Sequence, residues 1–394
     1  MTDRLVDFST AGSWRTRIMP KTLKKVISSE LPQYLAAKPK KPFVRQLIEM
    51  ASLYRYYKCL PIQYFRHGMY KNTFDGDIKN YLPHHYLYRF IAASNPLAER
   101  NIVSDKLQFE LLMRSIDVPV PETQFLACGD REIRQVDGTL VDHETFLTTL
   151  RQSNESRFFV KPRLGVRALG AFPFWIDNGQ LLYGEGNITE RKAFMDAVLK
   201  EERFGDILIQ NRIVQDPSLN EINPECINTM RIVTYTHEDK VSVDGCMLSI
   251  GPCLNGTDSW SNGAMIIRVD PETGQLAKYA HRKYSHGGQA FDRHPVTDYP
   301  FAEYRVPNWD LIREVLSKAS LALRPLTSLG WDLVISDQGP VILETNDDWD
   351  CYFCQEGMMG LLDSETGKSA LATMRPVGEP GLSENSNQSG TQAA

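Results

Sequence analysis

Two polar side chains end an apolar stretch near the C-terminus, in GWDLVISDQGPVILETN at residues 330–346. Side chains alternate along a strand, so Glu344 and Asn346 would project to the same side. A carboxylate costs several kcal/mol to bury in apolar surroundings unless a cation or a hydrogen-bond donor meets it. We therefore expect Glu344 to hold a cation or to accept from a donor.

Asp332 lies on the preceding apolar run, and the two runs predict a hairpin turned at SDQGP. A four-residue turn would place Asp332 opposite Thr345, whereas a bulge or a shorter loop would place it opposite Glu344. In the second arrangement, two carboxylates and the Asn346 amide form an all-oxygen cluster. Mg²⁺ prefers such a set, and Mn²⁺ also accepts it. A hydrogen-bonded strand end without metal is the alternative interpretation.

A single lysine, Lys161, ends the apolar run RFFVKP and is followed by the glycine-bearing loop RLGVRALGAF at residues 163–172. Glycines such as Gly165 and Gly170 let a backbone approach phosphate oxygens closely. The loop matches neither of the common phosphate-binding fingerprints, and an ordinary hairpin turn explains it equally.

Three further segments could serve a nucleotide. The run ILIQNRIVQ predicts a buried strand whose edge could offer backbone groups to an adenine ring. Arg231, in NTMRIVT, could clamp a phosphoryl group or pair with a surface carboxylate. Asn262 precedes another strand in SNGAM, in a turn that could face an anion.

The elements that position these residues form an α+β chain. Hairpin and strand patterns fall mostly between residues 157 and 346, a helix is expected at 190–204, and helices dominate before residue 100. With 394 residues, the chain exceeds the usual size of a single domain. The expected parts are a helical, basic region at 1–100, a leading part at 101–156, a glycine-loop subdomain at 157–212, a metal-site subdomain at 213–365 and a disordered tail at 366–394.

The charge is uneven, because residues 1–72 carry 14 Lys and Arg against 4 Asp and Glu, a net charge of +10. This basic, aromatic segment could contact an anionic membrane or cap the acidic remainder of the chain. No nucleic-acid-binding signature accompanies it, so no nucleic-acid partner is expected. The sequence shows neither a secretory signal nor an 18-residue apolar run, which predicts a cytoplasmic protein, at the inner membrane surface if the basic segment binds lipid.

The order of the motifs, SDK, VKP, a glycine loop, a linker strand, NTMR, SNG and GWD…ETN, resembles the ATP-grasp superfamily of carboxylate-amine ligases. NTMRIVT, GWD, ETN and HGMYKNTF resemble more narrowly its sugar-transfer-associated branch, over residues 60–365. The resemblance implies the ATP-grasp fold, in which two α+β subdomains with antiparallel sheets grip ATP.

The same resemblance implies roles for individual residues. Nucleotide phosphates would contact Lys106, Lys161 and the loop glycines Gly165 and Gly170. Adenine would lie at a hinge of residues 210–213, with Gln210, Asn211 and Ile213. Catalytic contacts with the transferred phosphoryl group would come from Arg231, Lys161 and Asn262, and Mg²⁺ would be held by Asp332, Glu344 and Asn346. Two positions depart from the family pattern. Gln210 replaces the glutamate of many relatives, which leaves adenine recognition to backbone groups, and SNGAM replaces paired glycines near Asn262.

The implied reaction joins a small-molecule carboxylate to an amine through an acyl phosphate, with release of ADP and phosphate. The substrates would be sugar- or amino-acid-derived, and the cationic segment 281–301 could line the acceptor pocket or form a solvated loop. Cys351 and Cys354 are expected to line the wall beside the metal site, with Gln355 towards substrate. The alternative function is a non-catalytic ATP-binding regulatory or scaffold protein of glycan assembly.

Overall fold

The described part of the chain is residues 30–374, apart from 75, 153–156, 166–170, 178–179, 184–185, 188–195, 197–204, 225, 252–262 and 284–287, in a computed structural model. Its strands form two antiparallel sheets, as the α+β prediction requires. Gly170, Asn262, all of the expected helix at 190–204 except residue 196, and the chain beyond residue 374 lie outside the described residues.

The N-terminal region is helical. Its elements are α1 (Leu31–Ala36), α2 (Phe43–Tyr57), α3 (Ile62–Arg66), a 3-10 turn (Ile78–Asn80) and α4 (His84–Ser94). Pro42, Pro61 and Pro83 directly precede α2, α3 and α4. Proline is tolerated there because the first N–H groups of a helix have no intrahelical acceptor. The prolines of KPKKP, Pro39 and Pro42, lie between α1 and α2.

The described residues within 101–211 contain the eight strands of the first sheet and three helices. The elements are α5 (Asn101–Ser104), α6 (Lys106–Ser115), β1 (Thr123–Ala127), β2 (Ile133–Arg134), β3 (Leu140–Val141), α7 (His143–Gln152), β4 (Arg157–Pro162), β5 (Phe172–Asp177), β6 (Gln180–Tyr183), β7 (Gly186–Asn187) and β8 (Ile207–Asn211). The strand order is β3-β2-β1-β8-β4-β5-β6-β7. The sheet therefore begins before residue 157, because β1 pairs with β8.

The second sheet has seven strands in the order β13-β12-β11-β10-β9-β14-β15. Its elements are α8 (Pro217–Ile222), β9 (Thr229–His237), β10 (Lys240–Ile250), β11 (Met265–Val269), β12 (Ala280–Arg282), β13 (Ala290–Phe291), α9 (Trp309–Ala322), β14 (Ser328–Ser336), β15 (Gly339–Asn346), α10 (Cys351–Gly357) and α11 (Glu365–Met374).

Both faces of this second sheet are covered. Ile232 of β9 packs in one core with α9, whereas its neighbour Val233 packs in another with α10, α11 and the N-terminal helices. Successive residues of a strand point to opposite faces, so the two cores lie on opposite sides of the sheet. Arg231, one residue before Ile232, is therefore on the side of α10 and the N-terminal region.

The expected disordered tail was wrong for residues 366–374, which form most of α11. Thr366, Gly367 and Ala370 are buried, and the Thr366 N–H donates to Asp244 at 2.7 Å. The helix packs against α4, β9 and β10. Tertiary packing of this kind stabilises a helix, so the segment is helical although a polar sequence follows it. Among the described helices, none is both long enough and apolar enough to cross a bilayer.

Candidate functional site

Three of the predicted site residues lie in one row across the second sheet. Arg231 on β9 is directly opposite Asp332 on β14, which is directly opposite Glu344 on β15. Directly opposed residues project to the same face of a sheet, and Asn346 follows Glu344 on that face. A guanidinium, two carboxylates and an amide therefore converge at one end of the last hairpin.

The register that unites Asp332 with Glu344 depends on two local features. The turn is tight, because Ser336 pairs with Gly339 across only two residues. The pairing then shifts between Asp332 and Leu333, so that Leu333 faces Ile342 while Asp332 faces Glu344. One extra residue on β15 is a bulge, which re-aims the side chains that follow it. The structure thus has the second of the two arrangements that the sequence left open.

Arg231 and Asp332 form a two-bonded ion pair. The Arg231 Nε donates to Asp332 Oδ1 at 2.7 Å, and its second guanidinium nitrogen donates to Oδ2 at 2.9 Å. The Asn346 amide nitrogen lies 3.4 Å from the same Oδ2. Burial and the Glu344 carboxylate raise the pKa of Asp332 to about 6, although Arg231 opposes this shift. The pKa of Arg231 is raised despite burial, because Asp332 stabilises its charge.

Lys106 connects the two sheets at this row. Its Nζ donates to the Gly165 carbonyl at 2.8 Å and lies 3.8 Å from Glu344 Oε2. Gly165 follows β4 of the first sheet, whereas Glu344 belongs to the second. The glycine loop, where it is described, and the acidic row are therefore joined through one ammonium group.

An ion pair that the sequence analysis missed positions Lys106. Asp105 caps the N-terminus of α6 by accepting from the Leu107 and Gln108 N–H groups. Its carboxylate also accepts from Arg163, at 2.9 Å from Nε and 2.8 Å from a terminal nitrogen. Arg163 thereby fastens the helix that starts at Lys106 to the end of β4. The SDK motif, with a helix-capping aspartate before the lysine, was the available signal.

Lys161 lies on β4, close enough to Glu344 and Lys106 for both charges to influence it. Burial and the neighbouring Lys106 charge lower the pKa of Lys161 to about 8, although Glu344 opposes this shift. Two ammonium groups this near to each other favour an anionic ligand between them, because its charge would relieve their repulsion.

The expected hinge residues differ in whether their polar groups already bond within the protein. The Gln210 side chain is buried, and its amide donates to Glu110, the Pro121 carbonyl and Thr123. Its strand is also paired on both sides, with β1 and β4. The Gln210 side chain is therefore committed to internal contacts, which leaves adenine contacts at the expected hinge to other groups.

Asn211 and Ile213 follow at the end of the same strand. Asn211 Oδ1 is buried, and among the described residues nothing donates to it. Ile213 lies beyond β8, and its backbone N–H and carbonyl make no backbone hydrogen bond within the described chain. Of the expected hinge, these two residues retain free polar groups.

Helix α10 borders the row from the side of the N-terminal region. Burial and, to a smaller extent, Asp332 raise the pKa of the Cys354 thiol to about 12, although Arg231 opposes this shift. The guanidinium carbon of Arg231 is 6.0 Å from the centre of the Phe353 ring. Cys351 and Cys354 are buried free thiols, and Cys354 lies on the wall of the site.

Gln355 does not face the site. Its side chain accepts from the Leu82 N–H at 2.7 Å and donates to the Leu82 carbonyl at 3.1 Å. This pair of bonds fixes α10 to the N-terminal region, so the expected substrate contact of Gln355 is wrong. The next residue, Glu356, lies near Lys71 and Lys283, and burial raises its pKa to about 7 against both cations. The segment 281–301 thus approaches α10 at Lys283.

The donor set fits a hard divalent cation only together with other oxygen ligands. Asp332, Glu344 and Asn346 supply carboxylate and amide oxygens, which Mg²⁺ and Mn²⁺ accept. Both Asp332 oxygens already accept from Arg231, and in the described residues no group of three His, Cys, Asp or Glu side chains could hold a metal ion alone. Phosphate oxygens or water would have to complete the coordination, as is usual for Mg²⁺.

Two antiparallel sheets, joined through Lys106 at this row of the second sheet, form an α+β architecture of the ATP-grasp class. The family model described as "Sugar-transfer associated ATP-grasp" matches residues 86–365. The chain belongs to this family. Membership supports an ATP-dependent ligase activity.

Solved structures with a similar fold include D-alanyl-alanine synthetase A from Vibrio cholerae, at 10% identity and a TM-score of 0.43, covering 70% of this chain and 66% of that protein. The VanG D-Ala:D-Ser ligase from Enterococcus faecalis matches at 11% identity and a TM-score of 0.39, over 70% of this chain and 62% of that protein. The chain therefore spans about two thirds or less of the length of these proteins. No curated protein sequence matches it.

Proposed function

We propose that this protein is an ATP-dependent carboxylate-amine ligase that forms an amide through an acyl phosphate. The row of Arg231, Asp332 and Glu344, with Lys106 and Lys161 across from it, carries the proposal. Three cations and two carboxylates at the junction of two sheets suit the phosphates of ATP with a divalent cation. Backbone and amide groups at Asn211 and Ile213 would receive the adenine.

A carboxylate needs a better leaving group before an amine can displace it at neutral pH. In the proposed reaction, a substrate carboxylate oxygen bonds to the γ-phosphorus of ATP as the bond to the ADP oxygen breaks. The amine nitrogen then bonds to the carbonyl carbon, phosphate leaves and the amine loses a proton. Positioning and charge neutralisation suffice for both steps, and no protein nucleophile is required.

The residues of the chain would divide this work. Lys106 and Lys161 would hold the β- and γ-phosphates between the sheets, and Arg231 would neutralise charge that develops on the transferred group. Asp332 would orient the Arg231 guanidinium through its two bonds. Asn262, outside the described residues, and the loop glycines Gly165 and Gly170 would complete the phosphate side.

We further propose that Glu344, Asn346 and Asp332 hold Mg²⁺, with Mn²⁺ as a substitute. A cation there would supply charge neutralisation at the phosphate oxygens. Because the Glu344 side chain is 39% exposed, it is the carboxylate of the row best placed to exchange its lysine contact for a ligand.

The substrates are proposed to be small molecules, a carboxylate and an amine derived from sugars or amino acids. The family description supports a role in polysaccharide biosynthesis. Lys71 and Lys283 near Glu356 of α10 would suit an anionic substrate group, and Glu356 itself would suit an ammonium group.

Nucleotide product analysis tests this proposal. Purified protein is incubated with ATP and Mg²⁺ against pools of amino acids, amino sugars and sugar acids, and nucleotides are quantified. Formation of ADP and phosphate with one particular pair supports the ligase and names its substrates. Formation of AMP and pyrophosphate contradicts the proposal. Nucleotide binding without turnover in any pool favours the non-catalytic alternative.

A further inference from the structure

Helix α2 is apolar on two sides. Its inward side includes the buried Leu53 and Tyr57. Its opposite side, here called the outer face of α2, consists of Val44, Leu47, Ile48, Ala51 and Tyr54. These positions follow the spacing i, i+3, i+4, i+7 and i+10, so they form one helical stripe. A surface helix normally carries polar residues there.

The outer face of α2 is exposed to a degree that is unusual for such residues. Val44 is 66% exposed, Ile48 64% and Leu47 47%. Helix α1 lies beside α2, because the Tyr34 hydroxyl donates to Gln46 at 3.0 Å, and α1 adds the exposed Leu35. Of the 18 exposed large hydrophobic residues in the described chain, eight fall within residues 31–60. Such a concentration marks an interaction surface rather than scattered exposure.

The segment that carries this face is strongly positive. Residues 30–72 contain eight Lys and Arg against two Asp and Glu. Both acidic groups are paired within the segment, Glu49 with Lys41 at 3.0 Å and Glu30 with Arg66 at 3.3 Å. Exposed Arg55 and Lys58 stand at the C-terminal end of α2. The exposed apolar stripe therefore ends in unbalanced positive charge.

We propose that the outer face of α2 docks on an anionic lipid bilayer. An apolar stripe inserts its side chains at the boundary between headgroups and acyl chains, while Lys and Arg remain with the anionic headgroups. The inference does not depend on the ligase reaction, since none of these residues lies in the row of Arg231, Asp332 and Glu344.

The positive charge of this segment favours an anionic bilayer over the other partners that could cover the outer face of α2. Two copies of the chain meeting through this face would bring two positive segments together, which is unfavourable. Residues 1–29 carry six Lys and Arg against two Asp and Glu, so this part of the chain is positive as well. A nucleic acid would match the charge but would leave the apolar stripe without a partner.

Vesicle co-sedimentation of the full chain tests the proposal. We expect pelleting with phosphatidylcholine vesicles that contain about 30% phosphatidylglycerol, and little with pure phosphatidylcholine. Raising the salt from about 0.05 M to about 0.5 M should weaken the binding, because surface charges are then screened. The double variant Leu47→Gln, Ile48→Gln should bind at least about tenfold less tightly, since two side chains lose their apolar contact.

The matched control is Leu97→Gln with Leu140→Gln, which changes two exposed apolar residues elsewhere, 78% and 59% exposed. This control should bind vesicles as the unchanged protein does. Thermal unfolding and nucleotide binding of both double variants should match the unchanged protein, which separates docking from folding and from the ligase site. Equal binding by the two double variants, or no pelleting with the anionic vesicles at low salt, would overturn the proposal. The proposal would also be overturned if light scattering showed a dimer that the double variant Leu47→Gln, Ile48→Gln dissociates, while the unchanged protein did not bind vesicles.

Discussion

Arg231 and Asp332 stand directly opposite each other on neighbouring strands and share two hydrogen bonds, of 2.7 and 2.9 Å. The pair lies on the face of the second sheet that α10 covers, and Glu344 continues the row on the next strand. A guanidinium held in this way keeps one orientation, which matters for a group proposed to meet a phosphoryl oxygen.

The first prediction concerns the geometry of this pair. Arg231→Lys keeps the positive charge but loses the two-bonded contact, because an ammonium group has no planar fork. We expect the turnover number to fall by about 10²-fold or more, as when one charge-stabilising donor is removed. Steady-state kinetics measure the effect, and a turnover number within about threefold of the unchanged protein would remove Arg231 from its proposed role.

Removal of the charge altogether should also affect folding. Arg231→Met leaves Asp332, whose side chain is 20% exposed, without its cation. Breaking a fully buried pair costs about 3–5 kcal/mol, so this partly exposed pair should cost about 2–3 kcal/mol. Denaturant unfolding of the variant should show this loss, whereas Arg231→Lys should retain most of the stability. Equal stability of Arg231→Met and the unchanged protein would show that the ion pair contributes nothing net to folding.

Glu344 is expected to matter for Mg²⁺ and little for stability. Its side chain is 39% exposed and contacts Lys106 only at 3.8 Å, so Glu344→Gln should unfold at nearly the same temperature. ADP formation should disappear or require much more Mg²⁺, because one charged oxygen ligand is lost. Glu272→Gln, at a carboxylate that is 75% exposed and distant in the fold, is the control. An unchanged Mg²⁺ requirement in Glu344→Gln would contradict the proposed metal site.

The hinge prediction separates two adjacent residues. Asn211→Ala removes the buried oxygen that nothing in the described chain occupies, so the KM for ATP should rise by about fivefold, the value of one hydrogen bond. Gln210→Met should instead lower the stability, because the buried Glu110 and Thr123 lose a donor, and should leave the KM for ATP nearly unchanged. A rise in the KM for ATP in Gln210→Met but not in Asn211→Ala would contradict the proposed hinge.

Glu356 gives a prediction for the dependence of stability on pH. Burial raises its pKa from 4.5 to about 7, so the folded state binds this proton more tightly than the unfolded state. The free energy of unfolding should therefore fall as the pH rises from about 4.5 to about 7, by up to about 1.4 kcal/mol per pH unit from this group. Glu356→Gln should lack this component. Urea unfolding at pH 5 and pH 8 measures it, and the same pH dependence in both proteins would contradict the assignment.

The sequence predicted the residues of the row better than their register. Strand alternation alone placed Glu344 and Asn346 on one side, and the motif order selected Arg231 and the two lysines. The position of Asp332 depended on a bulge, and nothing in the residue types of β15 requires one. Close packing explains why a glycine occupies position 330 of the GWD motif, since a Cβ there would lie 2.5 Å from the Cβ of the buried Trp349.

Two amide side chains near the expected site make their contacts within the protein, and for Gln355 this contradicts the expected substrate contact. Gln210 and Gln355 both carry amides in apolar sequence, and both satisfy backbone or side-chain groups of another segment. A buried amide must find such partners wherever the fold supplies them. The segments they contact are distant in sequence, so only the three-dimensional structure could reveal the pairing.

The central claim is that a substrate carboxylate is activated as an acyl phosphate at the row of Arg231, Asp332 and Glu344. The most direct measurement uses the substrate pair found by product analysis, with ¹⁸O in both carboxylate oxygens, followed by mass spectrometry of the products. The account predicts one ¹⁸O atom in the released phosphate and one retained in the amide. Label in AMP, or unlabelled phosphate beside an amide product, would contradict it.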